Sequence, residues 1–403
     1  MLTEVDGAAV RSFPLWIGTV ADVEDLLPVV PGLFDLVILD EASHIDQIRA
    51  APVLARARRA MVVGDPRQLR FVSFVADADV ADALRRYGMD DRADVRRVSA
   101  YDLAAGAAPV VWLDEHFRSV PHLIEFSARR FYRASGTDTL TVATRHPRNE
   151  ALDAIDVIRV RAQGLRQGVN RAEVAAAVDT VRRLAAAGVT GIGVISPFRA
   201  QADAIESAIV AALPVAELER LGLRVGTVHA FQGSEAHTVV VSLGLTDDDS
   251  PSRIRFVTDP QLFNVMVTRA RERLIVITSL SEPDGLIGEY LAHGEVGPRP
   301  PTGSAPTGWT GALAAELRAM GVPVRADYPV GRWRVDLCVG EGADAVGLNC
   351  VVHSDGIAAS LARQRALARA GWRLIDAYPS RWGGDPVRAA LDLSARLAIV
   401  IPQ

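Results

Sequence analysis

The sequence predicts an α/β protein built on doubly wound parallel sheets. Short runs rich in Val, Ile and Leu recur between residues 36 and 280 without polar alternation, as strands covered on both faces require. Helical stretches separate most of them, which is the rhythm of crossover connections. Several runs end in acids, amides or glycine, where open α/β sheets bind ligands.

Taken in order, LVILD (36–40) and MVVGD (61–65) read as buried parallel strands, with QIRAAPVLARARR (47–59) as the crossover helix. Residues 76–108 read as helical and polar, mainly DADVADALRRYGMDDRADVRR. PVVWL (109–113), IDVIRV, GIGVIS, LRVGTV, HTVVVSL and RLIVITS are strand candidates. RAEVAAAVDTVRRLAAAG and RAQADAIESAIVAAL are helices between them. HGEVGPRPPTGSAPTGW (293–309) is rich in Pro, Gly, Ser and Thr and reads as a linker. Residues 310–403 read as helix, strand, strand, helix, strand, helix.

The 403 residues suffice for two or three domains, and 49% apolar residues supply a sizeable core. No apolar run approaches the roughly 18 residues of a membrane span. The opening MLTEVDGAAVRSFPLW carries early acids and lacks signal-peptide architecture. Cys338 and Cys350 form no metal or disulfide framework and fit core positions in a reducing, cytoplasmic setting. A net charge of −5 argues against a generally basic coat but leaves room for a local nucleic-acid groove. Every basic side chain is arginine and there is no lysine, which reads as the coding bias of a GC-rich bacterial genome.

Asp40 and Glu41 end the LVILD strand in DEAS. An aspartate so placed can hold Mg²⁺, and the next acid can orient a water for phosphoryl transfer. The acids could equally cap the next helix. The next strand ends in GDPRQL (64–69), with Gly64 and Asp65 in a tight turn and Gln68 able to sense a γ-phosphate. LDEHFRSVPHLIEFSARRFY (113–132) puts Arg118 at a loop-to-helix junction. VISPFRAQ (194–201) supplies Pro197, Arg199 and Gln201 after a strand. VGTVHAFQGSEAHTVVVS (225–242) sets Thr227, His229, Gln232, Gly233 and Glu235 around a strand–loop–strand turn. NVMVTRARERLIVI (264–277) places Arg269 and Arg271 on a helix before a strand, where an arginine could steady a transferring phosphoryl group. Each has a plain structural alternative: a surface ion pair, a turn residue, a helix-face charge.

The order of these motifs decides. DEAS, GDxxQL, FRSVPHLIEFS, SPFRAQ, TVHAFQGSE and NVMVTRARERL, over about residues 15–280, resemble the ordered motifs of superfamily 1 helicases, in the branch of the nonsense-decay helicases and helicase-nucleases. The resemblance implies two RecA-like domains with P-loop NTPase-type sheets: a partial one at 1–109 and a second at 110–290, followed by a linker at 291–309. ATP and Mg²⁺ are its cofactors and single-stranded nucleic acid its partner, DNA favoured over RNA. It implies Asp40 and Glu41 as metal and water acids, and Gln68 as phosphate sensor. Arg118 and Arg269 become phosphate contacts. Gly64, Asp65, Gln232, Gly233, Glu235 and Arg271 become nucleotide or coupling residues. Thr227, His229, Pro197 and Arg199 become strand contacts. Two departures stand out: Arg70-Phe71 replaces a proline-rich turn, and His44, read as a solvated helix start, replaces the glutamine that often follows DEAS.

The family's GxxGxGKT loop has no counterpart here, and no lysine could serve it. LVILD, apolar on both faces, expects a neighbour on each side, and MVVGD supplies only one. The sequence therefore reads as part of a split or truncated frame, with a separate chain carrying the phosphate loop as a candidate partner. The alternatives are an ATP-dead nucleic-acid-binding scaffold and a metal-dependent nuclease acting through the last domain.

LAAELRAMGVPVRADYPVGRWRVDLCV, AVGLNCVVHSDG and LARQRALARAGWRLIDAYPSRW resemble the restriction-endonuclease-like fold of the very-short-patch-repair type, over about residues 310–395 of a last domain expected at 310–403. The resemblance implies Glu316 and Asp336 as metal acids, with Asp355 as a substitute. Asn349 stands where a further acid is expected. Arg363, Arg365 and Trp372 would suit a backbone-contacting face.

The chain as it stands is expected to hydrolyse ATP negligibly. Turnover stimulated by single-stranded DNA, and abolished in Glu41→Gln, would overturn that expectation.

Overall fold

The structure, a computed structural model, describes residues 10, 12–71, 75–90, 94–134, 137–138, 140–150, 152–161, 164–298, 301 and 303–397. Parts of the expected linker and of the 76–108 helical segment lie outside the described residues. No helix among the described residues is long and apolar enough to cross a membrane. The chain divides into two compact units, residues 1–112 with 260–265 and residues 113–259 with 266–403.

In the first unit, helix α1 (Val20–Leu26) opens on a capping box between Thr19 and Asp22. Strand β1 (Val37–Leu39) runs parallel to β2 (Ala60–Val62). Their crossover, α2 (Gln47–Ala55), starts where the Asp46 side chain accepts the Arg49 N–H. Arg56 beyond it is 2% exposed. Its guanidinium donates to the carbonyls of Leu27, Pro28 and Pro52, which replace its lost water. Leu39, Ala42, Ala50, Val53 and Ala100 form the small core, the last from α4 (Ala100–Ala107), which follows α3 (Asp77–Tyr87). The other face of the sheet is open: Leu36, Ile38 and Met61 are 48%, 59% and 52% exposed.

Residues 109–113 are not a strand, contrary to the sequence expectation. Val111 and Leu113 are 85% and 84% exposed. Their apolarity suits a buried strand, but among the described residues no strand pairs with them.

The second unit begins with β3 (Glu115–His116), α5 (Pro121–Arg130) and β4 (Thr141–Val142). A parallel sheet follows, built from β5 (Ile155–Arg159), β6 (Ile192–Ser196), β7 (Arg224–Thr227), β8 (Ala236–Ser242) and β9 (Ala270–Thr278). The spatial order is β5-β9-β8-β6-β7, every pairing parallel. Crossover helices α6 (Arg171–Ala186) and α7 (Arg199–Ala212) bury Val174, Ala177, Val181, Ile205 and Ile209 against Val194, Val240 and Ile275. Helix α8 (Pro251–Val257) and helix α9 (Pro260–Val267), whose residues 260–265 belong to the first unit, precede β9, and α10 (Gly285–Val296) ends this part.

The C-terminal part runs α11 (Gly308–Ala319), β10 (Val324–Val330), β11 (Trp333–Val339), β12 (Val346–Asn349), α12 (Ile357–Arg369), β13 (Leu374–Asp376) and α13 (Pro386–Leu397). Its sheet order is β10-β11-β12-β13, antiparallel except for the last pairing. Leu313 and Leu317 of α11 and Leu393 of α13 pack over Leu337 and Leu348. The expected linker is partly structured: α10 runs to Val296, and Ser304 bonds to the Asp327 carboxylate.

One buried carboxylate ties the large sheet to its helices. Glu173 of α6 is fully buried. Its Oε2 accepts from Ser242 Oγ at 2.7 Å and the Gly244 N–H at 2.8 Å. Its Oε1 accepts from the Ser279 N–H and from Asn170 Nδ2. Gln201 adds bonds to Asn170 and Ser242, so this member of SPFRAQ is a structural staple. Burial pushes the Glu173 pKa up to about 7, against the downward pull of its donors.

A folded pKa above the unfolded 4.5 means this group's contribution is fully present below 4.5 and is lost as pH rises towards 7. Urea midpoints should therefore fall over that window in the wild type and fall less in Glu173→Gln. Glu173→Ala, which strands several buried donors, should cost about 3 kcal/mol. Equal pH slopes in wild type and Glu173→Gln would refute this.

Candidate functional site

In the first unit the acids sit where the sequence placed them. Asp40 directly follows β1 and is exposed, and its Oδ1 accepts the Glu41 N–H at 2.9 Å. Glu41 holds a left-handed backbone, φ 51°, ψ 37°. A non-glycine residue there stores strain, which is commonest at functional positions. His44 lies in the 3₁₀ turn Ala42–His44 and is half-buried, rather than at a solvated helix start. Beside this turn, at the end of β2, Gly64 is required by close approach: a Cβ would meet Ser43 Oγ at 2.8 Å. Asp65 shapes the loop, with Oδ1 accepting the Arg67 N–H at 2.8 Å and Oδ2 accepting Gln68 Nε2 at 3.2 Å. Gln261 and Asn264 hold the backbone of the same loop, donating to the Pro66 and Arg67 carbonyls at 2.9 and 3.0 Å. Sequence reading missed both, although Asn264 opens the NVMVTRARERL motif.

In the second unit a three-residue ionic cluster assembles from distant motifs. The Glu235 carboxylate pairs with Arg118 on one oxygen and with Arg271 Nε at 3.2 Å on the other. Arg118 arrives because Ser119 Oγ donates to the Ala270 carbonyl at 2.8 Å and the Val120 N–H to the Arg271 carbonyl at 2.9 Å. Arg269 lies beside the cluster, its Nη1 donating to the Ser234 carbonyl at 3.3 Å, and its carbonyl accepts the Ala236 N–H at 3.1 Å. Gly233, at φ +71°, makes the turn between Gln232 and Glu235. The expected helical setting of Arg269 and Arg271 is corrected: α9 stops at Val267, and Arg271 is the second residue of β9. No proline or glycine separates helix from strand, so the pattern hides the boundary.

The remaining residues lie elsewhere. Glu235, Arg269 and Arg271 sit at the amino ends of β8 and β9, whereas Pro197 and Thr227 follow or end β6 and β7. Arg199, the first residue of α7, has its side chain 82% exposed, and Pro197 is buried. Thr227 Oγ1 accepts the Ala230 N–H at 3.2 Å, and His229 begins the 3₁₀ turn His229–Phe231. Near Arg199, Arg253 lies 3.7 Å over the Phe198 ring, which packs on Phe256; this cation–aromatic ledge was not singled out from sequence.

The acids expected as a nuclease metal centre do not converge. Asp336 is held by Arg363 Nη1 at 2.9 Å and by the N–H groups of Cys350 and Val351. Asp355 lies near His353, and Glu316 is on α11. Among the described residues no three His, Cys, Asp or Glu side chains gather as a metal site. Asn349, in the acid's place, donates to Asp376 at 3.2 Å.

Burial separates the arginines energetically. Arg269 is 2% exposed, whereas the side chains of Arg118 and Arg271 are 40% and 45% exposed. Arg269→Ala should cost about 2–3 kcal/mol, and Arg118→Ala or Arg271→Ala less than about 1 kcal/mol. Urea denaturation distinguishes these, and equal losses at all three positions would contradict the assignment.

Residues 96–281 match the AAA_12 family, described as an AAA domain. The chain is 26% identical over 274 residues to the 5′-3′ DNA helicase ZGRF1 of Mus musculus, covering 65% of this chain and 14% of that protein. It is 28% identical over 322 residues to an uncharacterized ATP-dependent helicase, MG140, of Mycoplasma genitalium, covering 71% of this chain and 28% of that protein. A solved structure of the PRRSV helicase matches at 15% identity and a TM-score of 0.29, over 60% of this chain and 34% of that one, too distant to carry an argument. The chain thus spans between about a seventh and just over a quarter of these curated relatives. Residues 96–281 thus resemble an AAA domain, and the wider chain is similar in sequence to proteins named as helicases.

Proposed function

We propose that the chain is part of an ATP-dependent helicase that couples hydrolysis to movement along single-stranded nucleic acid, DNA favoured, once a phosphate-loop segment completes its first sheet. The observation that carries this reading is the convergence of three sequence-distant motifs on Glu235, two of them through arginines. An arrangement holding paired guanidinium groups on a displaceable carboxylate suits a polyphosphate ligand. In this reading Arg118 and Arg269 contact phosphate, while Gln232, Gly233, Glu235 and Arg271 couple nucleotide state to strand grip. Gly64 and Asp65 shape the loop that presents Gln68.

Asp40 would hold Mg²⁺ and Glu41 would orient water. Mg²⁺ on a nucleotide needs only one or two carboxylates beside the phosphates, so the lack of a three-acid cluster among the described residues fits it. The open faces of Leu36, Ile38 and Met61 support a missing neighbour. Burying the remaining half of each such side chain gains about 1 kcal/mol. A separate chain carrying the loop is the partner proposed for that role. Thr227, His229, Pro197 and Arg199 form the proposed strand-binding face. The C-terminal domain is read as a restriction-endonuclease-like fold retained for docking, since Asp336 is committed to Arg363.

The test is fluorescence anisotropy with labelled oligo-dT and oligo-U at graded salt. The chain should bind with a steep salt dependence, and Arg199→Ala should weaken binding several-fold and reduce the salt slope by about 1. Absence of binding by the wild type at low salt would sink the proposal.

A further inference from the structure

The segment that delivers Arg118 is anchored at both ends. Downstream, Ser119 and Val120 are tied to the start of β9. Upstream, β3 is two residues long and pairs with an equally short β4. The Thr141 N–H donates to the Asp114 carbonyl at 2.7 Å, and the Ala143 N–H to the His116 carbonyl at 2.9 Å. Two strands of this length have no stability of their own.

Local bonds help, from the Ser119 N–H to His116 Nε2 at 2.8 Å and from Thr144 Oγ1 to the Ser119 carbonyl at 2.6 Å, and further support comes from the C-terminal domain. The turn between β10 and β11 lies against the pair, with the Gly331 N–H donating to the Val142 carbonyl at 2.9 Å. Arg332 Nε donates to Glu115 Oε1 at 3.0 Å, and its Nη2 to Asp114 Oδ1 at 2.9 Å. Gly331 has φ +58°, and a Cβ there would come within 3.6 Å of Ala143. Without Arg332, the carboxylates of Asp114 and Glu115 would lose the guanidinium they share.

The grip continues along the segment. Trp372 Nε1 donates to the Arg145 carbonyl at 3.0 Å, and its ring lies 4.5 Å from that of His146. Glu150, 5% exposed, accepts from Arg325 at 3.3 Å and pairs with Arg145. A buried carboxylate with a partner from each side makes this a fixed joint.

We propose that the C-terminal domain is a built-in clamp for Arg118, in which Arg332 is the positioning residue. It fixes β3, and β3 fixes the loop from which Arg118 reaches Glu235. Only the phosphate role of Arg118 rests on the proposed function; the clamp stands without it.

The test uses the full chain labelled with ¹⁵N-arginine. The Arg118 Nε–H resonance is assigned by its loss in Arg118→Lys. Arg332→Glu should shift or broaden it and raise amide exchange across residues 113–120 at least tenfold, with β6, β8 and β9 unchanged. Arg332→Lys should retain most of the wild-type signal. Adding Glu115→Arg to Arg332→Glu should restore it, which a merely structural role would not require. An unmoved Arg118 resonance in Arg332→Glu overturns the clamp, as does a uniform rise in exchange throughout the sheet or a failure of the second-site change to restore the signal. Titration of the wild type with tripolyphosphate, which needs no phosphate loop to reach the arginines, is read separately. An Arg118 resonance that ignores it would sink the phosphate role while leaving the clamp intact.

Discussion

The ionic cluster depends on a slip in strand register. Along β8 and β9, Ala236 pairs with Ala270, but Thr238 pairs with Arg273, so two residues on one strand oppose three on the other. The extra residue breaks the two-residue alternation of side chains. Arg271 can then meet Glu235, while Arg273 reaches Asp156 on the opposite neighbour, β5. The slip coincides with the carbonyls of Ala270 and Arg271 that accept from Ser119 and Val120. Remove the bulge, and Arg118 loses both its anchor and its counter-ion's second partner.

The same sheet keeps different chemistry at its two ends. The amino ends of β8 and β9 carry exposed, paired charge around Glu235. At the carboxyl ends of the same strands, Ser242 and Ser279 bond to a buried carboxyl group, Glu173, which has hydrogen-bond donors on both oxygens. The ion pairs of Glu235 stay near water, where such a pair is worth little and breaks easily. The polar group that holds the fold together is buried, where its oxygens need hydrogen-bond partners in place of water.

Much of this was legible in the sequence, for particular reasons. The strands of the large sheet declare themselves because runs such as VVVS and LIVIT are apolar on both faces, which only a central parallel strand needs. PVVWL misleads because apolarity reports what a segment was built to meet, not whether a neighbour is beside it. Arg271 was misplaced because nothing in TRARERLIVI breaks the helical pattern before the strand begins. Arg118, Glu235 and Arg271 were named from motif order, but their meeting on one carboxylate depends on register, which single-sequence patterns do not encode. Glu173 was missed because a carboxylate in a helix resembles any solvated acid until its burial is known. Gln201 passed as a site residue for the converse reason.

The joint between residues 114–150 and the C-terminal domain also dictates an order of events in folding. Its contacts join residues 175, 218 and 227 positions apart. At synthesis rates of about 5–20 residues per second, the partners of Glu150 and Asp114 emerge roughly 10–45 s after them. During that interval a carboxylate destined for the interior remains in water, and the short β3–β4 pair has nothing against it. The large sheet, whose strands all lie within residues 155–278, can close first. The loop bearing Arg118 would therefore be among the last parts of the molecule to take its final shape, so synthesis completes the core of the large sheet before this loop is set.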